Sequence, residues 1–469
     1  MPSTSSAAAS VAGTAPAAAT TAPSNALTTL PNSVFRGIDT LTPTGSIGDD
    51  ELLRVGVSLA GRDPAGATRA VHELYDPASP NFHHFFSPQQ WDAAFGPDAA
   101  TRAAVVSWLQ DIGLNVLQSD GSYVYATGTA AQIQSRFGVR IDQFDVNGKQ
   151  FYANVNAATV PAGVTSVLGL SNYKQARTFH DMTDAQPNAF PVSAETTPAD
   201  LWSIYDMLDV NKGDNEGLAI FGWSMNGTTI ESDLRQFEAN NHLPAVPFSI
   251  QHFGGVGTHD NSTDGDVEWA LDSQASTGMA PYASSLTAYD GFSPTDVDLL
   301  APITSWINDA AGSKQGSASY GECEEDPVFS AAGAPASPVS GTEDAWNPVL
   351  QKGAAEGRSL FVSSGDSGYG CDPVAPTVNG VTLGPVPYQS WPAVSPWVVA
   401  VGGTVLTTDD GNPPKRDVEY AWTHGGGGAS PFVAQPDYQS SAGVPLPTRG
   451  IPDVAAQSGD LLSGYDIVA

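Results

Sequence analysis

The sequence predicts two α/β units in succession. The first is a compact β-α-β-β-α-β module of ferredoxin-like α+β type. The second is a larger parallel sheet with helices on both faces. Three observations carry this. The chain has 469 residues, which suits two or three domains rather than one. Its rhythm changes after a polar, proline-containing stretch at 178–198. Beyond that stretch short strand-like runs alternate with helical ones, the pattern of a parallel sheet covered by crossover helices.

The elements follow in order. L52-L-R-V-G-V-S-L59 reads as a strand, and helical patterns follow near 65–75, 87–95 and 98–112. L114-N-V-L117 and S122-Y-V-Y-A126 read as a strand pair turned at D120-G121. A helix fits 129–137. G138-V-R-I-D-Q-F-D145 alternates as the closing strand, and N147-G148 turns it into Q150-F-Y-A153. Downstream, strand-like runs at 218–222, 284–289, 317–320, 360–364 and 397–401 alternate with helical ones at 228–239, 265–277, 296–311 and 342–357. Gly/Pro-rich loops are expected at 325–341 and 372–396.

Charge narrows the function. There are 18 Lys+Arg against 50 Asp+Glu, a formal net charge of -32. Such a surface repels nucleic acid, so none is expected as a partner. It suits service in acid, where carboxylates lose charge. No run of 18 apolar residues is present, so no helical membrane span is expected. Hydrophobic residues make up 41%, enough for a large core. Cys323 and Cys371 are the two cysteines. They read as one extracellular disulfide, with two buried thiols as the alternative. Residues 1–34 are almost all Ala, Ser, Thr and Pro before the first charge at Arg36, and read as a disordered leader. They lack the basic start and Leu/Val-rich centre of a signal peptide.

Two motifs carry chemistry. In D264-G-D-V-E-W-A-L-D-S-Q-A-S276, Glu268 and Asp272 stand four apart on a helix. Two like charges at that spacing raise each other's pKa when partly buried, so one tends to hold a proton. A solvated acidic face is the plain alternative, but Trp269, Ala270, Leu271 and Ala275 point to close packing. A calcium loop fails, because its final bidentate glutamate would fall at Leu271. A glycosidase pair normally comes from two elements rather than one helix face. The second motif, S363-S-G-D-S-G-Y-G370, places Asp366 and Ser367 in a glycine-rich loop after a strand, where open α/β sheets put their chemistry. It resembles the G-D-S-G-G of chymotrypsin-like proteases, but Tyr369 breaks the match and no histidine stands in a partner motif. His242, His252, His259 and His424 read as loop or surface residues. No H-E-x-x-H is present.

With both motifs in hand, the chain resembles the sedolisins, the serine-carboxyl peptidases. The resemblance covers nearly everything after residue 35. It runs through H72-E-L-Y-D-P-A-S-P-N-F-H-H-F-F-S-P-Q-Q-W-D-A-A-F-G96, T197-P-A-D-L-W-S-I-Y205, E268-W-A-L-D-S-Q274, S319-Y-G-E-C-E324, S363-S-G-D-S-G368, W391-P-A-V-S-P-W-V-V-A-V-G-G-T404, A421-W-T-H-G-G-G-G428 and R449-G-I-P-D-V-A455. It implies a subtilisin-like fold preceded by an activation propeptide. It implies Glu268 as general base, Asp272 as the residue that orients it, and Asp366 as a protonated oxyanion-hole donor. By the resemblance, residues 35–180 are the propeptide and intramolecular inhibitor, 181–197 a linker with the processing site, and 198–469 the peptidase. The implied partners are protein or peptide substrates, and the implied form is an extracellular monomer. The family's serine lies in a G-T-S-x-x-x-P motif beyond the stretch matching Arg449–Ala455, and its calcium site lies further on. Neither occurs before Ala469. The resemblance therefore implies calcium for a complete protein and little or no peptidase activity for these 469 residues. The alternative is a non-enzymatic chain that binds through its propeptide or its cleft.

Overall fold

A computed structural model describes residues 26–34, 37–146, 148–178, 196–255, 266–324, 341–371, 377–378, 381–382, 388–409, 411–458 and 464–469. Most of the expected linker at 181–197, much of both expected loops, His259 and residues 1–25 lie outside them.

The N-terminal part begins with β1 (Leu27–Leu30), which the leader reading did not anticipate. Its core elements are β2 (Leu52–Leu59), α1 (Pro64–Tyr75), α2 (Pro88–Ala94), α3 (Ala99–Gln110), β3 (Asn115–Asp120), β4 (Tyr123–Thr129) and α4 (Ala130–Phe137). Side chains set the helix starts. Asp63 caps α1, and the pairs Ser87/Gln90 and Thr129/Gln132 form capping boxes at α2 and α4. Then come β5 (Ile141–Val146), β6 (Lys149–Asn154), β7 (Ala158–Pro161) and β8 (Val164–Leu168).

The expected hairpin of β5 and β6 is present, but it does not close the main sheet. That sheet runs β3-β4-β2-β8, the ferredoxin-like order with Val164–Leu168 as the fourth strand. The reason is pairing: Val57 lies opposite Val167 in β8, while β5 pairs with β6. β1 runs antiparallel to β7.

This sheet is covered on both faces, and β4 shows how. Val124 and Ala126 point into a core with Val105, Leu109, Ile133 and Phe137. Tyr123 and Tyr125, on the opposite face, pack with Val297, Leu300 and Trp346 of the C-terminal part.

The C-terminal part contains β10 (Gly217–Trp223), α5 (Gly227–Asn240), β11 (Phe248–His252), α6 (Asp266–Met279), β12 (Ser285–Gly291) and α7 (Asp296–Asn308). It continues with β13 (Gln315–Ala318), β14 (Tyr320–Cys323), α8 (Thr342–Ala355), β15 (Ser359–Ser363), β16 (Ser390–Trp391), β17 (Val399–Thr408), β18 (Arg416–Ala421) and β19 (Val454–Gln457). The main sheet runs β11-β12-β10-β13-β15-β17-β18, with β19 also on β17. All its pairings are parallel except β17 with β18. Ile230 and Leu234 of α5 with Trp269 of α6 cover one face. Leu300 and Ile303 of α7 with Trp346 and Val349 of α8 cover the other. The result is the expected parallel sheet with helices on both faces, preceded by a ferredoxin-like unit. Between the two parts lies β9 (Arg177–Thr178), which pairs antiparallel with β14.

Candidate active site

α6 brings Glu268 and Asp272 to one face, and both are buried, at 3% and 6% exposure. A close approach sets the helix in place: Trp269 lies over Gly222 of β10, where a Cβ would meet its ring at 2.3 Å. Burial withdraws Asp272 from water, and the Glu268 carboxylate beside it adds repulsion. Together they hold Asp272 well above the ordinary aspartate range, partly opposed by a hydrogen bond from Ser319. Ser319 Oγ donates to Asp272 Oδ1 at 2.5 Å, while Asp272 Oδ2 has no hydrogen-bond partner among the described residues.

Ser319 stands between β13 and β14, and β13 is hydrogen-bonded to β15. The loop after β15 holds Asp366, half-buried. The loops that carry Ser319 and Asp366 thus leave the carboxyl ends of neighbouring strands, as open α/β sheets dispose their sites. Gly365 and Gly368 take φ of 109° and 65°, which the tight turn around Asp366 requires. The loop is stitched to the glycine run 425–428, with Gly426 N donating to Gly365 O at 2.6 Å and Ser364 Oγ to Gly426 O at 2.7 Å. A disulfide joins Cys323 at the end of β14 to Cys371 at the end of the Asp366 loop.

Ser367, the weaker nucleophile candidate, accepts a hydrogen bond from Arg177 Nη2 at 3.3 Å. The same Nη2 donates to Cys371 O at 2.6 Å. The strand β9 and its arginine therefore grip both β14 and the Asp366 loop. His252 is exposed, as the surface reading expected; it closes β11, and its Nδ1 lies 2.6 Å from Oδ2 of the fully buried Asp290. Residues 464–469 form no strand, and Val468 exchanges hydrogen bonds with Gln274 of α6.

Sequence reasoning missed the contacts of Ser319 with Asp272 and of Arg177 with Ser367. The available signal was scarcity: with 18 basic residues against 50 acids, each buried cation is an anchor worth following. Among the described residues no group of three His, Cys, Asp or Glu could hold a metal ion.

Residues 40–172 match the family model "Pro-kumamolisin, activation domain". Xanthomonalisin of Xanthomonas sp. (strain T-22) is 30% identical over 87% of this chain and 53% of its own length. Sedolisin of Pseudomonas sp. (strain 101) is 29% identical over 88% of this chain and 72% of its own. This chain thus spans about half of the first relative's length. A solved structure of Pseudomonas sedolisin complexed with pseudo-iodotyrostatin aligns over 59% of this chain and 76% of that one, with TM-score 0.48 and 25% identity. With a matched activation domain and these relatives aligned along most of its length, the chain belongs to the sedolisin family and carries that family's activation propeptide.

Proposed function

We propose that this chain is the precursor of an extracellular, acid-acting serine-carboxyl peptidase that cleaves protein or peptide substrates. The observation that carries the reading is the buried Glu268–Asp272 pair. Glu268 takes the proton of a serine hydroxyl as that oxygen attacks the scissile carbonyl, and returns it to the leaving amine. Water then hydrolyses the acyl-enzyme by the same route. Asp272 holds Glu268 in place and shares the proton. Asp366, protonated in acid, donates a hydrogen bond to the oxyanion. A glutamate base and a neutral aspartate donor coexist only at low pH, which agrees with the acidic composition.

The propeptide is assigned to residues 35–180, the processing linker to 181–197 and the peptidase to 198–469. The pairing of Arg177–Thr178 with Tyr320–Cys323 supports a propeptide tail that blocks the site as an intramolecular inhibitor. Calcium is proposed as a stabilising ligand of a longer protein, which acts as a monomer. A G-T-S-x-x-x-P serine is not among the 469 residues, so this polypeptide by itself is expected to turn over little or nothing.

The test is acid proteolysis of a denatured protein by the purified 469-residue chain and by the product of the whole source gene. Activity is expected only in the latter, and Glu268→Gln there should lower it by at least about 10²-fold. Digestion by the pure 469-residue chain would overturn the assignment and return Ser367 as nucleophile.

A further inference from the structure

Beside β9 lies a second charged cluster that the catalytic reading does not use. Lys174 Nζ donates to Glu322 Oε1 at 3.0 Å and to Cys323 O at 2.5 Å. Its side chain is 10% exposed and that of Glu322 8%. Asp296, at the start of α7, adjoins Glu322 and is held by Thr342 Oγ1 at 2.8 Å. Glu343, one residue on, also feels the Lys174 charge. One ammonium thus contacts one carboxylate, Glu322, and lies within the electrostatic reach of two more. Among the described residues the seat is not saturated, because Glu322 Oε2 and Glu343 Oε1 are buried with no hydrogen-bond partner there.

All three carboxylates belong to the C-terminal part, whereas Lys174 belongs to the tail that leads out of the activation domain. Three main-chain contacts guide that tail. Ala176 N donates to Pro294 O at 2.8 Å, and Arg177 and Thr178 pair with Gly321 and Tyr320. Main-chain pairing of this kind is independent of sequence, so another extended peptide can replace the tail on the β14 edge. Its residue three positions before the Arg177 register would then reach the same seat.

We propose that Asp296, Glu322 and Glu343, with the Cys323 carbonyl, form a peptide-binding subsite for a lysine-type ammonium side chain, which Lys174 fills in the precursor. The proposal rests on the peptidase reading for the nature of its ligand, and it names a specificity determinant of that site. A lysine at this position gains charge-assisted hydrogen bonds, and a neutral side chain of the same length leaves buried carboxylates unpaired.

The test reads binding rather than turnover, so it succeeds or fails independently of the catalytic assignment. The full 469-residue chain carries Lys174→Ala and Arg177→Ala, which remove the charged anchors of its own tail. Labelled peptides S-N-Y-K-Q-A-R-T, with lysine or norleucine at the fourth position, are titrated at about pH 8, above the raised Glu343 value of about 7. The lysine peptide is expected to bind at least about tenfold tighter. The preference should shrink to within about twofold when Glu322→Gln and Asp296→Asn are added. In K174A alone, n-butylammonium should raise the unfolding midpoint and 1-butanol should not. If K174A does not fold, K174M replaces it in the peptide titration. Equal affinities of the two peptides would overturn the proposal, as would a preference untouched by E322Q/D296N. Butylammonium binding with no peptide binding would also overturn it, since the seat would then serve the chain's own tail alone.

Discussion

The two sheets bury different chemistry. The N-terminal sheet packs on an apolar core of Val55, Val57, Leu109, Ile133 and Phe137. Among the described residues of this part, the one buried acid is Asp142 on the neighbouring β5, which sits 3.0 Å from Arg140. The parallel-sheet part buries Glu268, Asp272, Asp290, Asp298, Glu324 and Glu356. Several of these are pushed toward the protonated form by burial itself. An apolar core is indifferent to pH, whereas raised carboxylates link folding to protons. The stability of the first part is thus expected to depend less on pH than that of the second.

The largest effect that would sharpen this contrast is expected from Phe137→Ala. It should cost about 3–5 kcal/mol in denaturant unfolding, by the same amount in acid and at neutrality. A strongly pH-dependent loss would break the comparison.

Next comes the pH dependence of the parent chain. Burial raises Glu324 and Glu343 from 4.5 to about 7. A carboxyl with a raised folded pKa costs nothing below its unfolded value. The cost grows as pH climbs from that value to the folded one. Thermal stability should therefore fall between about pH 4.5 and 7, and Glu324→Gln should flatten that fall. A flat profile in the parent would contradict it.

Tyr125→Phe is expected to cost about 1–2 kcal/mol, because its Oη donates at 2.5 Å to buried Asp298 across the boundary between the two parts. At the small end, His72→Ala should change stability by less than about 1 kcal/mol, since its 3.0 Å contact with Asp437 is 48% and 76% exposed.

Periodicity made much of this legible. Leu52–Leu59 was expected and found with the same bounds, and the four long helices of the second part fall within a few residues of their expected spans. The fourth strand of the first sheet was not readable. V164-T-S-V-L168 is short, and the hairpin before it is equally strand-like. Only pairing with β2 decides between them.

The site divides in the same way. The i,i+4 spacing exposed Glu268 and Asp272, because a helix converts sequence distance directly into a shared face. The Ser319 bond to Asp272 spans 47 positions, and the Arg177 bond to Ser367 spans 190. No local pattern encodes contacts at such separations. The Cys323–Cys371 bond could be guessed only because no third cysteine competes for it.

The central claim is that Glu268 and Asp272 act as one proton-holding pair. It is tested most directly by following the Asp272 carboxyl through a pH titration by selective isotope labelling, in the parent chain and in Glu268→Gln. The account predicts that Asp272 titrates well above the ordinary value of about 3.9 in the parent and moves downward once the neighbouring charge is removed. An ordinary titration, unchanged by Glu268→Gln, would contradict it.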